Sequence, residues 1–521
     1  MAPRGKLRTL LPLLIVLLLV LGVCVHFCLW KSGMFIDEIY TYGLANSRYM
    51  PFIGHGDHDR IAEQIITRED FFDYLAVTEG EPAPDPGSVY YNQVQDVHPP
   101  LYYWILNLCS TLARGQFSKW IGLIPDLILY LGLLALLYML GLELFRNPYV
   151  AASVTVLYGL SQVGLSTMLM IRMYVLVTLL TVLLALLTAK ELRAPSRKKE
   201  LGIGVTIFLG LMTQYYFVFY AFFLCAAAVI VFLCRKERKA ALGFSLFAFA
   251  GVGAMLLCFP AVFDQMTGQR LGPESDALAN LKNVGAWAGR LRYYFGQFRV
   301  GLPGAIAFAL IAALMWMVLS LVRKETRLQR GDWRFLILLL PVIPTVMVPA
   351  IISPVLEGRY IYNIMPIAAV ATGFCLTACG RHMDMRAAFG GILAFSLLWS
   401  LRTVPDYIYD EHRGYSEAVS AHAGAPCLYL TEYYAGPTQD MLQLMAFDEV
   451  YVAGDPESPA LAEYLERENA DELVVYIDID SMWGSGFDPG EMLEELEAAT
   501  GYAEEEHLYQ YALSDTYLLR R

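Results

Sequence analysis

Long apolar runs, separated by short polar or charged stretches, fill most of this 521-residue chain. Apolar runs of about 18 or more residues are typical of membrane-spanning helices. Twelve candidate segments are found, at 7–30, 99–114, 119–142, 149–167, 170–190, 201–216, 217–234, 240–262, 302–322, 333–352, 360–380 and 386–403. We therefore predict an α-helical polytopic membrane protein with 11–13 transmembrane helices. Composition agrees, since 57% of the residues are hydrophobic and the mean hydropathy is +0.46.

After residue 403 the pattern changes to short apolar runs that alternate with amphipathic stretches. The predicted strands are 427–431, 448–453 and 472–478, the helices 436–447, 458–469 and 488–500, and the last element is a hairpin or strand pair over 507–520. Ser458 is the expected N-cap of its helix and Pro459 its first residue. Alternating strands and helices favour a small α/β domain with a parallel core. The predicted domains are thus 1–403, in the membrane, and 404–521.

Charge predicts which loops face the cytoplasm, because Lys and Arg collect on that side. The basic clusters lie at 4–8, 193–199, 235–239, 323–334 and 381–386. The N-terminus is then cytoplasmic, and the loops 31–98, 264–300 and 353–359 and everything after 403 lie outside. The first segment has no small-residue cleavage site after its apolar run and is predicted to stay as a span.

The tail is strongly acidic, which also favours an extracytoplasmic place. Residues 404–521 carry 26 Asp and Glu against four Arg and no Lys, a net charge of −22. The whole chain has −12, so residues 1–403 carry +10. Twelve crossings would return the tail to the cytoplasm, so either one segment within 99–190 does not cross or one crossing is missed.

Polar residues from distant parts of the chain fall at the outer face in this topology. They occur in the stretches FIDEIY, QDVHPP, MIRMYVL, TQYYF and SPVLEGRY, and are Asp37, Glu38, Asp96, His98, Arg172, Tyr174, Gln214, Tyr215, Glu357, Arg359 and Tyr360. Ionisable groups next to a membrane are costly and often mark a functional site. Taken singly, each also has a structural explanation, as a helix-end charge, a snorkelling anchor or part of an aromatic belt.

Together these residue types suit one substrate class. A carboxylate can act as a general base, arginines hold phosphate with a fork of donors, and aromatic rings stack on a sugar or line a lipid groove. A sugar carried on a polyprenyl phosphate has all three features. The two prolines after His98 fix the backbone where such a phosphate would arrive.

These motifs resemble the GT-C membrane glycosyltransferases, and most closely the bacterial protein mannosyltransferase and aminoarabinose transferase superfamily. The resemblance rests on the DE pair, D-x-HPPLYY, R-M-Y and the late SP…RY segment, and covers about residues 1–403. It implies a polyprenyl-phosphate sugar as donor and transfer with inversion on the non-cytoplasmic face. It also implies that Asp37 is catalytic, with Glu38 as a support or acceptor contact. His98 would lie near the donor.

The remaining site residues follow less directly from this resemblance. Arg172 and Arg359 are expected phosphate contacts. Many family members carry a His before the Tyr of the middle turn, whereas this chain has Gln214 and Tyr215, which weakens any role for that turn.

Several alternatives stay open at this stage. The loop GHGDHDR contains metal-ligand types (His55, Asp57, His58 and Asp59), so a divalent ion is an alternative to a solvated loop; no required metal or other cofactor is expected. The acceptor is a lipid, a glycan or a protein, and no nucleic acid partner is expected. The tail is a lid over the outer face or an acceptor-binding domain. A transporter or flippase of lipid-linked sugar, or an inactive homologue, remains the alternative function.

Overall fold

The computed structural model describes residues 3–57, 60–80, 82–266, 279–323, 333–379, 383–482, 484–502, 504–511 and 513–521. The helices are α1 Pro3–Trp30, α2 Ile36–Asn46, α3 Arg68–Leu75, α4 Pro86–Gln95, α5 Leu101–Leu112, α6 Lys119–Phe145, α7 Pro148–Gly159, α8 Gln162–Leu169, α9 Tyr174–Arg193, α10 Arg197–Leu211, α11 Phe217–Cys234, α12 Arg238–Cys258, α13 Val262–Met266, α14 Val284–Gly301, α15 Pro303–Arg323, α16 Arg334–Leu339, α17 Val342–Ile352, a 3₁₀ helix Gly358–Ile364, α18 Met365–Cys379, α19 Met385–Ser400, α20 His412–Ser420, α21 Ala435–Gln439, α22 Met441–Leu444, α23 Pro459–Glu468 and α24 Pro489–Thr500. The strands are β1 Gly56–Asp57, β2 Arg60–Ile61, β3 Gln64–Thr67, β4 Cys427–Leu430, β5 Glu449–Ala453, β6 Glu472–Asp478, β7 Glu504–Tyr511 and β8 Ser514–Arg520. The predicted fold class, a helical membrane protein with a small C-terminal α/β domain, is confirmed.

The chain forms two compact units. We call residues 1–29, 97–102 and 123–406 the helical unit, and residues 30–96, 103–122 and 407–521 the sheet unit. Residues 31–96 of the loop 31–98, which the sequence assigned to the membrane domain, therefore belong to the same unit as the acidic tail.

Fewer helices than predicted are long enough to cross a membrane. In the described part of the chain, seven apolar segments qualify: Thr9–Trp30, α6, α9, α11, α12, Arg334–Ile352 and Gly358–Cys379. Two bent pairs raise the number to nine if each pair is one span, α7 with α8 at 62° and α14 with Pro303–Val318 at 83°. The predicted spans 201–216 and 386–403 correspond to the shorter helices α10 and α19, of 15 and 16 residues.

The predicted span 99–114 is wrong. Its helix, α5, has 12 residues and is about 18 Å long at 1.5 Å per residue, whereas the bilayer core is about 30 Å thick. The body of α5 belongs to the sheet unit. There the Asn107 side chain donates to the Ala45 carbonyl at 2.8 Å and accepts from the Asp85 N–H at 3.1 Å. These polar partners explain an Asn inside an apolar run.

Two further differences lie in the helical unit. The predicted span 149–167 is broken where Ser161 caps α8, its hydroxyl accepting from the Gly164 N–H at 3.1 Å. Residues 284–300, predicted as part of an outer loop, form α14.

Glycine brings α10 and α12 close together. A Cβ on Gly251 would lie 2.3 Å from the carbonyl oxygen of Gly204, so a larger residue at 251 would collide with the α10 backbone. Small residues allow such close helix packing in membranes.

A buried ion-pair cluster joins α6, α9 and α16. Glu143 contacts Arg334 at 2.7 Å and Arg193 at 3.0 Å. Arg334, which is 4% exposed, also donates to the Ala189 carbonyl at 2.6 Å.

The sheet unit contains a six-stranded mixed sheet of order β3-β5-β4-β6-β8-β7. Strand β4 pairs in parallel with β5 and β6, as the predicted parallel core requires, and the other pairings are antiparallel. The central strands are buried on both faces, which explains their continuous apolar runs. The edge strand β3 comes from the loop 31–98 and pairs with β5, a pairing that the sequence did not reveal.

Two helices cover one face of this sheet, and the helices of this unit differ in part from the predicted ones. On one face, α23 and α24 bury an apolar core that includes Leu430, Ile477, Leu461 and Leu496. The predicted helix 436–447 is two short helices, α21 and α22, separated at Asp440. Pro459 begins α23 as predicted, but the Ser458 hydroxyl donates to Glu63 at 2.5 Å instead of capping.

Candidate functional site

The acid pair predicted to be catalytic lies in the first turn of α2, in the sheet unit. Helix α2 begins after Phe35, whose N–H donates to Glu38 Oε2 at 2.8 Å. Carboxylates in a first turn also interact favourably with the partial positive charge of the helix N-terminus. The residues Ile36, Asp37 and Glu38 therefore start α2, and Asp37 lies in its first turn.

The two carboxylates have different environments. Glu38 is fully buried, and Lys31 Nζ lies 2.9 Å from its Oε2. Asp37 is partly exposed, and its main-chain carbonyl accepts from the Thr41 hydroxyl at 2.6 Å. Since Glu38 already binds an ammonium and a main-chain N–H, Asp37 is the acid of the pair that substrate can more readily reach.

Asp96 approaches the same region from α4, whose C-cap it is. Desolvation raises the pKa of the Tyr40 hydroxyl, and the nearby charges of Asp37 and Asp96 raise it further. Helices α2 and α4 pack together through Asn92, whose side chain donates to the Ser47 carbonyl at 2.9 Å. Asp37 and Asp96, 59 positions apart in the sequence, are thus gathered around one tyrosine.

In the helical unit the structure brings together His98 and Arg172. Arg172 lies in the break between α8 and α9 and is 5% exposed. Its Nη2 is 3.3 Å from Nε2 and 3.5 Å from Nδ1 of His98. A guanidinium can only donate, so any hydrogen bond within this pair is donated by Arg172. The N–H of Leu101 donates to the Met212 carbonyl at 3.0 Å, which ties the His98 turn to the α10–α11 turn.

Tyr174 belongs to a second group that the sequence only partly found. Its ring is edge-on to Tyr362, with centroids 6.2 Å apart, and the Tyr362 hydroxyl donates to Asp406 Oδ2 at 3.2 Å. The Asp406 N–H donates to the Ser166 hydroxyl at 2.9 Å. Asp406 was missed, although an acid just beyond the last apolar segment is a signal of the kind that identified Asp37.

The middle turn, residues 213–216, meets the late loop, residues 353–360, through aromatic stacking; the end of this loop is the start of the 3₁₀ helix Gly358–Ile364. Tyr360 stacks on Tyr216 with ring centroids 4.8 Å apart. Beside Tyr216, Gln214 is buried and the Tyr215 hydroxyl donates to Gln265 at 2.5 Å. The turn therefore contacts the late loop through Tyr216, a residue that was not among the predicted site residues.

The late loop also holds a charged pair, with Arg359 Nε 3.8 Å from Glu357 Oε2. The helical unit thus places His98 with Arg172, Tyr174 with Tyr362, and Tyr360 with the middle turn.

No group of three His, Cys, Asp or Glu side chains that could hold a metal occurs among the residues that the structure describes. His55 and Asp57 are described, whereas His58 and Asp59 lie outside the described residues. Metal dependence stays a question for experiment.

Comparison with known proteins finds similarity only among solved structures, since no family model and no curated protein matches. The chain is similar to ArnT from Cupriavidus metallidurans bound to undecaprenyl phosphate, at 11% identity and a TM-score of 0.49, covering 99% of this chain and 98% of that chain. It is similar to the Archaeoglobus fulgidus oligosaccharyltransferase tethered with an acceptor peptide, at 10% identity and a TM-score of 0.44, covering 91% and 69%. It is also similar to the arabinosyltransferase EmbB from Mycobacterium smegmatis, at 13% identity and a TM-score of 0.41, covering 83% and 40%. These proteins are GT-C membrane glycosyltransferases. The sequence motifs resemble the same class of proteins, and at these identities and TM-scores the similarity is one of fold alone.

Proposed function

We propose that this protein is an integral-membrane glycosyltransferase that moves a sugar from a polyprenyl-phosphate donor to an acceptor hydroxyl on the non-cytoplasmic face. The observation that carries the proposal is the buried Arg172 beside His98, in a break between two helices of a polytopic membrane protein. Buried charge of this kind is costly and is usually kept for function. A guanidinium offers the donor fork that suits a phosphate oxygen.

Asp37 is the proposed general base, and Asp96 helps to orient the acceptor. The acceptor oxygen bonds to the anomeric carbon while the bond from that carbon to the phosphate oxygen breaks. The electron pair of the broken bond leaves with the polyprenyl phosphate, and the acceptor proton passes to Asp37. A single displacement of this kind inverts the anomeric carbon. Glu38 is given no reacting role, because it is fully buried and paired with Lys31.

The other predicted residues take supporting roles. Arg172 is the main phosphate contact and His98 orients it, while Arg359 is a second phosphate contact whose charge is moderated by Glu357 at 3.8 Å. Tyr360 forms an aromatic wall for the sugar or the first isoprene units, and the buried Tyr174 supports the site through its ring contact with Tyr362. Gln214 and Tyr215 line the turn beside them.

The proposed orientation has a cytoplasmic N-terminus and an extracytoplasmic sheet unit. The described part of the chain has seven apolar segments long enough to cross, or nine with the bent pairs, and an odd number of crossings takes the chain from one side of the membrane to the other. This agrees with the placement of the basic clusters. The acidic tail then lies away from the anionic cytoplasmic leaflet.

The test is transfer by the purified full-length protein in detergent. Radiolabelled polyprenyl-phosphate sugars are supplied as donors, with a membrane extract as the acceptor pool. We expect label to move from the lipid into a new product, and Asp37→Asn to lower the rate about 10²–10⁴-fold, the usual contribution of a general base. Asp448→Asn is the matched control, since that carboxylate is in the same unit and 94% exposed.

Three results would count against the proposal. Tight binding of the lipid without turnover, across several sugars and acceptors, would favour a carrier or an inactive homologue. Movement of intact lipid-linked sugar across a reconstituted bilayer would favour a flippase. Full activity of Asp37→Asn would refute the assignment of Asp37 but not the transferase itself.

A further inference from the structure

A lysine and a glutamate next to the proposed base form an ion pair that solvent does not reach. Lys31 Nζ lies 2.9 Å from Glu38 Oε2, and both side chains are 0% exposed. Removing two charges from water is costly, and their attraction offsets that cost only with good geometry and further hydrogen bonds. Such a pair is therefore expected to have a specific task.

Each partner of this pair also holds main chain. Lys31 donates to the Tyr407 carbonyl at 2.6 Å, and Glu38 accepts from the Phe35 N–H at 2.8 Å. Lys31 thus connects two segments of the sheet unit, the residues that lead into α2 and those that follow Asp406. The Lys31 ammonium also lies 5.5 Å from the centre of the Tyr409 ring, where a cation is attracted by the π electrons.

Hydrogen bonds from neighbouring residues join the same two segments. The Ser32 N–H donates to the Ile408 carbonyl at 2.9 Å, and the Trp30 indole donates to Asp410 Oδ1 at 3.1 Å. The Arg413 side chain donates to the Ser32 hydroxyl at 3.2 Å. Residues 30–32, which precede α2, are therefore hydrogen-bonded to residues 408–413 at the start of the tail.

The residues that lead into α2 and those that follow Asp406 pack closely against each other. A Cβ on Gly33 would lie 2.3 Å from the His412 ring. Tyr407 and Tyr409 have φ of +70° and +52°, a left-handed backbone conformation that is unfavourable for tyrosine and persists only where surrounding contacts enforce it. The Phe35 ring lies parallel to the Tyr409 ring at 6.4 Å. The conformation of both segments is thus strongly determined.

We propose that Lys31 is a positioning residue, which acts through Glu38 and the Tyr407 carbonyl to fix the first turn of α2 and with it the Asp37 carboxylate. The inference rests on the proposed function of Asp37 as base. It gives the acidic tail a task beyond covering a surface, because the segment at its start braces the catalytic turn. In this proposal the Glu38 carboxylate has two roles: it neutralises the Lys31 charge, and it accepts the Phe35 N–H at the start of α2.

The test is a double-variant cycle in the full-length protein. Lys31→Met removes the ammonium but keeps a long apolar stem, and Glu38→Gln removes the charge but keeps an oxygen for the Phe35 N–H. Each single variant removes one charge of the ion pair and leaves the other charge buried. We expect each to lower kcat at least tenfold with KM for the lipid donor within about twofold. The double variant has neither charge of this ion pair, and its kcat should return to within about threefold of the native value.

A second readout does not depend on transfer. Hydrogen exchange of the main-chain amides of residues 36–39 should be faster in each single variant and return towards the native rate in the double variant. If the protein transfers no sugar from any donor, the proposed function fails, while this exchange pattern still decides whether Lys31 positions α2.

The exposed ion pair between Arg60 and Glu432 provides the control. It also joins the first loop to the tail, but its side chains are 59% and 43% exposed, and exposed pairs contribute little. Arg60→Met should leave kcat and amide exchange in α2 unchanged.

The contrary outcomes are distinct. A double variant as inactive as Glu38→Gln would make Glu38 a participant in the reaction and overturn the proposal. So would single variants with native kcat and native exchange, or a double variant that unfolds more readily than both single variants. Single variants that fail to fold beside an active, folded double variant would support it.

Discussion

Asp440, between α21 and α22, is the carboxylate whose removal should stabilise the sheet unit. It is 0% exposed, and its Oδ2 accepts from the Tyr429 hydroxyl at 2.7 Å. Burial raises the pKa of Asp440 from 3.8 to about 7, although hydrogen bonds from Ser514, Tyr429 and Tyr415 partly oppose the change. Burial has this effect because it disfavours the charged form.

The sign and size of the contribution of Asp440 to stability follow from the difference between its pKa in the folded and in the unfolded state. The folded state binds the proton more tightly, so the contribution of Asp440 is most favourable below pH 3.8 and is lost as the pH rises through about 7. At about 1.4 kcal/mol per pKa unit, the loss amounts to about 4 kcal/mol at pH 8 and to less than about 2 kcal/mol at pH 5.

Asp440→Asn keeps an oxygen for the Tyr429 hydroxyl but cannot ionise. We expect it to stabilise the sheet unit by about 4 kcal/mol at pH 8 and by less than half of that at pH 5. Amide hydrogen exchange of β4 and β6 in the full-length protein, corrected for intrinsic rates, measures this local stability. Where the exchange rate is proportional to the equilibrium constant of local opening, a gain of about 4 kcal/mol corresponds to roughly a thousandfold slower exchange.

The pH dependence is the decisive part of this result, because a change in packing would act equally at every pH. Asp448→Asn, at an exposed position, should change exchange little at either pH. An Asp440→Asn gain that is the same at pH 5 and pH 8, or a loss at pH 8, would refute the reasoning.

Three further predictions concern buried cationic and imidazole groups. Burial lowers the pKa of His412 from 6.5 to about 4, so its stabilising contribution is present above pH 6.5 and lost as the pH falls through 4; His412→Gln should flatten the acid side of the exchange profile of α20. Glu143→Gln should destabilise the helical unit by about 3–5 kcal/mol, because the Glu143 carboxylate is lost while the Arg334 charge stays buried. Thermal unfolding of the full-length protein measures this loss, and in that experiment replacing the half-exposed Arg193 by Met should cost about 1 kcal/mol or less. Arg172→Lys keeps the charge but loses the planar fork, and should weaken equilibrium binding of polyprenyl phosphate about tenfold or more; unchanged affinity would exclude Arg172 as a phosphate contact.

The membrane character of the chain could be predicted because it depends on composition over long windows. The segment 99–114 shows where that reasoning fails. Its run is apolar enough to suggest a span although it is short for one, but Asn107 has polar partners in Ala45 and Asp85. A hydropathy window does not contain those partners, so it cannot distinguish a short packed helix from a crossing.

The candidate site was predictable to the extent that single residues are unusual for their surroundings. Arg172 and His98 stand out because a charge and an imidazole adjoin apolar runs, and the structure brings them within 3.3 Å. Lys31, Asp406 and Tyr216 were missed. Each looks ordinary beside its sequence neighbours and gains meaning only from a distant partner, as Lys31 does from Tyr407, 376 positions away.

The sheet unit is built from parts of the chain that are made at very different times. Strand β3, at residues 64–67, pairs with β5, at 449–453, and the approach to α2 is hydrogen-bonded to residues 407–413. Contacts of such high sequence separation form only after both partners exist, and closing the loop between them is entropically costly. The turn that carries Asp37 therefore takes its final form after the last apolar segment and the tail have been synthesised. If Asp37 is the base, as proposed, loss of the tail should lower transfer without altering any residue around Asp37 in the sequence.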